Sequence, residues 1–279
     1  GHTAVRRIFH PTASDMDVAG AAHAAEGTLL GLVQRAVSSA APTGENGGDG
    51  LSVTVEALER LLAAQPAALN QAGSTQVTLL MLAARGCRPD LVDVLISARA
   101  DVHAESARGV TALLMAAEEG CVDAIRALHA AGASLDESSS QEANNEPASL
   151  NLRKATTALL SASMNGHAAA VRALLNLNAD VNHGNDAGGS ALMAACKGGH
   201  VEVVHQLIAR GADVHAKDIR RDEGTEYATT NTALTWAVFN GHHTVVEALL
   251  QADADANALL ADDGTTTLMI ACERGYEGI

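Results

Sequence analysis

An all-α solenoid of stacked helix-turn-helix pairs is predicted for this chain by three observations. The first is a set of columns that recur in register. Counting from Thr78, Thr111, Thr157, Ser190, Thr232 and Thr266, a leucine follows two residues later (Leu80, Leu113, Leu159, Leu192, Leu234, Leu268) and an alanine five residues later (Ala83, Ala116, Ala162, Ala195, Ala237, Ala271). Nine residues on stands Gly120, Gly166, Gly199, Gly241 or Gly275, with only Cys87 out of line. Seventeen residues on comes another leucine: Leu95, Leu128, Leu174, Leu207 or Leu249. The second observation is the period of 33 residues, the mark of a stacked repeat whose units bury their apolar faces against one another. The third is composition, 47% hydrophobic but only 2% aromatic, as expected of thin helical layers filled by Ala, Leu and Val.

Each column has a physical role. The threonine or serine N-caps the first helix by accepting from an orphan backbone N–H. The alanine lets neighbouring helices approach closely, since a larger side chain would overpack a dense interior. The leucines, with the β-branched column Val92, Ile125, Val171, Val204 and Val246, fill the space between repeats. Glycine closes the turn between helices, where positive φ is predicted. The second helix ends at Arg99, Gly132, Asn178, Gly211 or Asp253. Four of these tolerate a left-handed backbone; Arg99 is the misfit, which predicts a weaker first complete repeat.

Period and columns together resemble the ankyrin repeat, whose core reads T-P-L-H-x-A, then a glycine turn, then V-V-x-x-L-L-x-x-G-A-D-V-N. The clearest copy runs from Ser190 to His215, closing on Gly211-Ala212-Asp213-Val214-His215. The resemblance implies an ankyrin-repeat solenoid with β-hairpin fingers. Two departures recur. The proline is replaced by leucine, alanine or threonine, and the family histidine becomes Met81, Leu114, Leu160, Met193, Thr235 or Met269. The second departure predicts apolar contact in place of the usual side-chain hydrogen bonding beside the β-turn.

The organisation follows from the register. Residues 1–26 are an Ala-rich arm with no clear helical face and no signal-peptide core. A start at Gly1 fits a processed product or a tag remnant. Residues 27–74 form a degenerate N-terminal capping repeat, with helices at Thr28–Ser39 and from Val55, joined by a Gly-rich loop over 40–50. There Glu59 takes the β-branched position, as suits a face that meets water. Residues 75–279 hold five repeats and a truncated sixth, whose motif stops at Ile279; either the native protein continues or another subunit covers that layer. Two insertions stretch the period to 46 residues (Thr111 to Thr157) and 42 residues (Ser190 to Thr232). Both fall at finger positions on one edge, read either as neutral loop growth or as part of a binding face.

Catalytic and metal readings find no support in the sequence. GxSxG, HExxH, P-loop and GxGxxG elements are missing from it. Most of the twelve histidines belong to the repeat: His167, His200 and His242 follow the turn glycine, while His103 and His215 share a column with Asn182 and Asn257. One histidine per repeat, about 10 Å from the next, is too far apart for a shared metal. Cys196 and Cys272 share a small-residue core column. Cys87 and Cys121 lack CxxC spacing and paired histidines, so no zinc site is predicted; a redox role for Cys121 stays open. The four cysteines argue for a reducing compartment, hence a cytoplasmic location. A net charge of −15 weighs against nucleic acid and anionic membrane surfaces, and no apolar run approaches the roughly 20 residues that span a bilayer. The same charge suits a partner with a basic segment.

Aromatic placement points to a candidate site. Of five aromatics, Tyr227, Trp236 and Phe239 fall within thirteen residues. The resemblance puts first-helix positions four and seven beyond the threonine beside the concave groove. The column seven beyond reads Arg85, Glu118, Met164, Lys197, Phe239 and Glu273, varied as an exposed surface is. Trp236, Phe239, Tyr227, Lys197, Met164, Glu118 and Arg85 are therefore the predicted partner-binding residues, Trp and Tyr being frequent interface anchors. The competing reading has Trp236 packing beneath the second insertion through Tyr227. Functionally, the sequence predicts a non-catalytic scaffold that binds a protein partner, with no cofactor. The alternatives are a structural subunit of a larger assembly or the ankyrin part of a longer multidomain protein.

Overall fold

The computed structural model describes residues 55–64, 69–70, 76–139, 156–185, 188–221, 228–257, 264–276 and 278–279. The arm over 1–26, the helix expected at Thr28–Ser39, most of the first insertion and Tyr227 lie outside these residues. Helix α1 spans Val55–Ala64. Five helix pairs follow: α2 Leu79–Arg85 and α3 Pro89–Ser97, α4 Ala112–Glu119 and α5 Val122–Ala130, α6 Ala158–Met164 and α7 Ala168–Asn176, α8 Ala191–Gly198 and α9 Val201–Ala209, α10 Ala233–Phe239 and α11 His243–Gln251. Helix α12 covers Thr267–Glu273.

Every first helix begins as its threonine or serine predicts. The hydroxyls of Thr78, Thr111, Thr157, Ser190, Thr232 and Thr266 each accept from the N–H three residues on, at 3.3–3.4 Å, satisfying one donor that the helix leaves open. At the position of the family histidine, Leu160 and Met193 are buried apolar residues, as expected. Thr235 departs from that expectation: its Oγ1 accepts from Thr232 N–H at 2.7 Å and donates to the Thr232 carbonyl at 2.8 Å. Side-chain hydrogen bonding is therefore kept in that repeat through the threonine hydroxyl, and in the first complete repeat the Met81 Sδ likewise accepts from Thr78 N–H at 3.4 Å.

The turns need a left-handed backbone, and the columns supply it. Gly120, Gly166, Gly199, Gly241 and Gly275 have φ between 69° and 76°, and Cys87 sits there at 50°. At the ends of the second helices Gly132, Asn178, Gly211 and Asp253 have positive φ, and so does Arg99, at 68°. Arg99 thus adopts the strained conformation despite its side chain, an arrangement that costs on the order of 1 kcal/mol against glycine.

Packing runs in two parallel layers. The first helices α2, α4, α6, α8, α10 and α12 pack in series, as do α1, α3, α5, α7, α9 and α11, and the two helices of each pair close on one another. Leu80, Leu113, Leu159, Leu192 and Leu234 are at most 2% exposed, and the alanine column from Ala83 to Ala237 is fully buried. Each such leucine contributes about 1.5–3 kcal/mol by leaving water. In α12 the same column is open: Leu268 is 65% and its neighbour Met269 58% exposed. Glu59 on α1 is exposed, as expected of its register.

The second insertion is a β-hairpin finger, β1 Asp218–Arg221 paired antiparallel with β2 Ala228–Asn231, with Asp218 opposite Asn231 and Arg221 opposite Ala228. Between repeats an aspartate column forms a ladder that the sequence reading did not assign. Asp101, Asp180, Asp213 and Asp255 each accept at 2.9 Å from the N–H two residues on. The backbone N–H groups of Asp101, Asp180 and Asp213 in turn donate to Asn70, Asp136 and Asn182 of the preceding unit, at 2.9–3.1 Å. Asparagine or aspartate at that spacing satisfies turn amides that no helix can reach.

The cysteines correct one expectation. Cys87 and Cys121 are joined as a disulfide, their Cα atoms 5.1 Å apart, so the four cysteines do not together argue for a reducing compartment. Cys196 is a buried free thiol, as its column predicts, whereas Cys272 in the same column is exposed. No described helix packs over that side of α12.

Candidate functional site

The candidate site is the face of the first-helix layer that points away from the second helices. Thr232 caps α10 and fixes its rotation, so that Leu234 and Ala237 face the core while Trp236 and Phe239, three residues apart, share the other side. Their rings meet edge to face, with centroids 6.5 Å apart, the orientation the ring quadrupoles favour. Two cations cover them. Lys197 Nζ on α8 lies 4.5 Å from the Trp236 centroid, and the Arg274 guanidinium carbon just past α12 lies 4.0 Å from the Phe239 centroid. Phe239 is 41% exposed; Trp236 is half-buried and leans on the core.

The other predicted residues fall along the same layer. Glu118 lies in the last turn of α4 and is exposed; Met164 ends α6 and is partly exposed. Arg85 at the end of α2 reaches Glu119 at 3.6 Å, a surface pair of small energetic weight. The fold therefore brings Lys197, Trp236 and Phe239 together, and strings Met164, Glu118 and Arg85 along the helices before them. Tyr227 lies outside the described residues. Arg274 was missed in the sequence because it stands eight beyond Thr266, outside the column that drew attention to Lys197.

Beneath this face the turn histidines tie repeat to repeat. His167 Nε2–H donates to the Glu118 carbonyl at 2.8 Å, His200 to Met164 at 3.0 Å and His242 to Lys197 at 3.1 Å. Each ring also lies against the turn glycine of the preceding repeat. A Cβ on Gly120, Gly166 or Gly199 would come within 2.5–2.7 Å of His167, His200 or His242 respectively. Burial holds the His200 imidazole below its ordinary pKa of 6.5; the bond to Met164 opposes this, and the neighbouring His242 and His167 add to it. Among the described residues no three His, Cys, Asp or Glu side chains gather as a metal site would require. No described helix is long and apolar enough to cross a membrane.

Comparison with known sequences decides the family. A profile for ankyrin repeats matches in three copies, over residues 52–139, 139–218 and 220–279. The chain belongs to the ankyrin-repeat family. Over 120 residues it is 33% identical to the ankyrin repeat and KH domain-containing protein mask-1 of Caenorhabditis elegans, a match that covers 43% of this chain and 4% of that protein. The chain thus spans a small part of the length of this ankyrin-containing relative. Among solved structures it is similar to the human ASB11 ankyrin repeat domain, with a TM-score of 0.65 at 20% identity over 86% of this chain and 90% of that one. At that identity the likeness shows the ankyrin fold, which agrees with the helix pairs and the finger described above. Ankyrin repeats generally mediate protein–protein interaction, and the family is typically non-catalytic.

Proposed function

We propose that this chain is a non-catalytic scaffold that holds a protein partner in the concave groove of its first-helix layer and against its finger loops. The observation that carries this reading is Phe239, 41% exposed on an ordered helix beside Trp236, in a chain with only five aromatics. Exposed aromatic pairs at a rim of charged side chains are the usual anchors of protein interfaces. Lys197 and Arg274 make the aromatic end of the face locally cationic, whereas Glu118 lies nearer the other end. A basic segment of the partner is therefore assigned to the Glu118 end and its apolar anchor to Trp236 and Phe239. Residues 27–74 act as the capping repeat and 75–279 as the binding repeats. A cytoplasmic setting belongs to this reading. Nucleic acid is not the partner, given the net charge of −15.

The test is affinity capture with the intact chain, compared with Phe239→Ala, Trp236→Ala and, on the opposite layer, Gln206→Ala. Loss of about 30-fold or more in affinity for both aromatic variants is expected, the scale of an interface hot spot, with Gln206→Ala unchanged. Equal binding by all variants refutes the assignment.

A second reading, a subunit of a larger assembly, is favoured by one observation. Leu268 and Met269 are exposed where the same column is buried in the other repeats, and contiguous apolar surface of this kind marks contacts. Sedimentation that depends on concentration, lost in Leu268→Ser, would support it over the first.

A further inference from the structure

The column that holds His167, His200 and His242 holds Cys121 in the second complete repeat, and the column of turn glycines holds Cys87 in the first. These two exceptions face one another. The backbone is the same at every junction: Cys121, His167, His200 and His242 all have φ between −78° and −87° and ψ between 74° and 83°. Their side chains therefore leave the chain in one direction, toward the turn of the preceding repeat. Where that turn is glycine there is room for a ring, and a Cβ there would lie 2.5–2.7 Å from it. Where the turn is Cys87 a ring is excluded, and the small Cys121 brings sulfur to sulfur. The two substitutions fit only as a pair. Access is unequal: Cys87 is exposed on the turn, and Cys121 is 6% exposed beneath it.

We propose that Cys87 and Cys121 form a reversible thiol–disulfide exchange site for small disulfides of the glutathione type, which locks the first complete repeat to the second. In the oxidising direction the Cys87 thiolate attacks one sulfur of the small disulfide, forming a mixed disulfide and releasing one small thiolate. The Cys121 thiolate then attacks the Cys87 sulfur, the protein disulfide forms and the second small thiolate leaves. Two protein thiols lose two electrons and two protons, and one small disulfide becomes two small thiols. Excess small thiol reverses both steps. Exposed Cys87 is the point of entry and sheltered Cys121 the resolving thiol. The lock replaces the histidine-to-carbonyl bond that the later junctions use, so this junction alone answers to redox conditions.

The experiment uses the purified chain with Cys272→Ser, to silence the exposed free thiol, after equilibration with oxidised glutathione or with dithiothreitol. Trapping with N-ethylmaleimide and peptide mapping should show a Cys87–Cys121 cross-link in the oxidised sample only. The oxidised sample should unfold at a temperature about 5 °C or more above the reduced one, the scale of a disulfide that closes a loop of this length. With Cys121→Ser the glutathione adduct should accumulate on Cys87 and the temperature shift should vanish. The double change Cys87→Gly with Cys121→His rebuilds the later junctions' arrangement, and should be stable and indifferent to redox state. Absence of the cross-link, equal unfolding temperatures, or a shift that survives Cys121→Ser overturns the proposal.

Discussion

Between α6–α7 and α8–α9, the His200 ring lies against Gly166 and its Nε2–H reaches the Met164 carbonyl. Between α2–α3 and α4–α5, the equivalent positions are Cys121 and Cys87, bonded through sulfur. The helices on either side obey the same columns, and the leucines between them are equally buried. What differs is how the outer turn is tied: by a non-covalent bond that water and protons can contest, or by a covalent one that reductant can. The comparison shows that the turn glycine of one repeat and the turn histidine of the next act as one unit. It also places the weaker-turned region of the molecule, with Arg99 at positive φ, where the covalent tie is found.

The largest expected effect tests what both junctions share. Leu192→Ala, 1% exposed in the native fold, should cost about 2–5 kcal/mol in urea unfolding, the range for emptying a core site. Leu80→Ala should behave alike in the reduced protein; if only one of the pair destabilises, the layers are not equivalent. Next comes Gly166→Ala, which places a side chain at φ 75° and against the His200 ring. A loss of about 1–3 kcal/mol is expected, and a neutral result would dissolve the glycine–histidine unit. His200→Ala should lose roughly 1 kcal/mol, the net worth of one such hydrogen bond.

Much of this was legible in the sequence. The caps, the left-handed turns and the buried leucines follow from side-chain chemistry repeated at a fixed spacing, so each column could be read from its neighbours. Residues that break a column were harder. Cys87 was visible as the exception in the glycine column, yet its partner lies in a different column of the next repeat, and one period pairs like with like. The Arg274 contact to Phe239 was hidden for a related reason: it joins consecutive repeats at unlike positions. Tyr227 and most of the first insertion lie outside the described residues, so the competing reading, in which Trp236 packs beneath the second insertion through Tyr227, stands on the sequence.

Smaller effects sharpen the contrast. Arg99→Gly should raise stability by about 1 kcal/mol, because glycine adopts the left-handed turn without steric cost; a loss would mean that the arginine side chain has a role of its own. The pH dependence should be weaker still and should arise at the His200 junction. Because His200 titrates below its unfolded value of 6.5, the unfolded chain binds more protons between those two values. Its contribution is fully present above pH 6.5 and is lost as pH falls through the folded pKa. Thermal unfolding of wild type and His200→Gln across pH 5–8 checks the sign: wild type should lose more stability on acidification than the variant.

Hydrogen exchange across the whole chain, with and without dithiothreitol, tests the contrast between junctions most directly. Reduction should speed exchange in α2 to α5 and leave α6 to α11 unchanged, because only the first junction depends on the sulfur bridge. Protection that falls evenly along all the repeats, or that does not change at α2 to α5, would contradict the account.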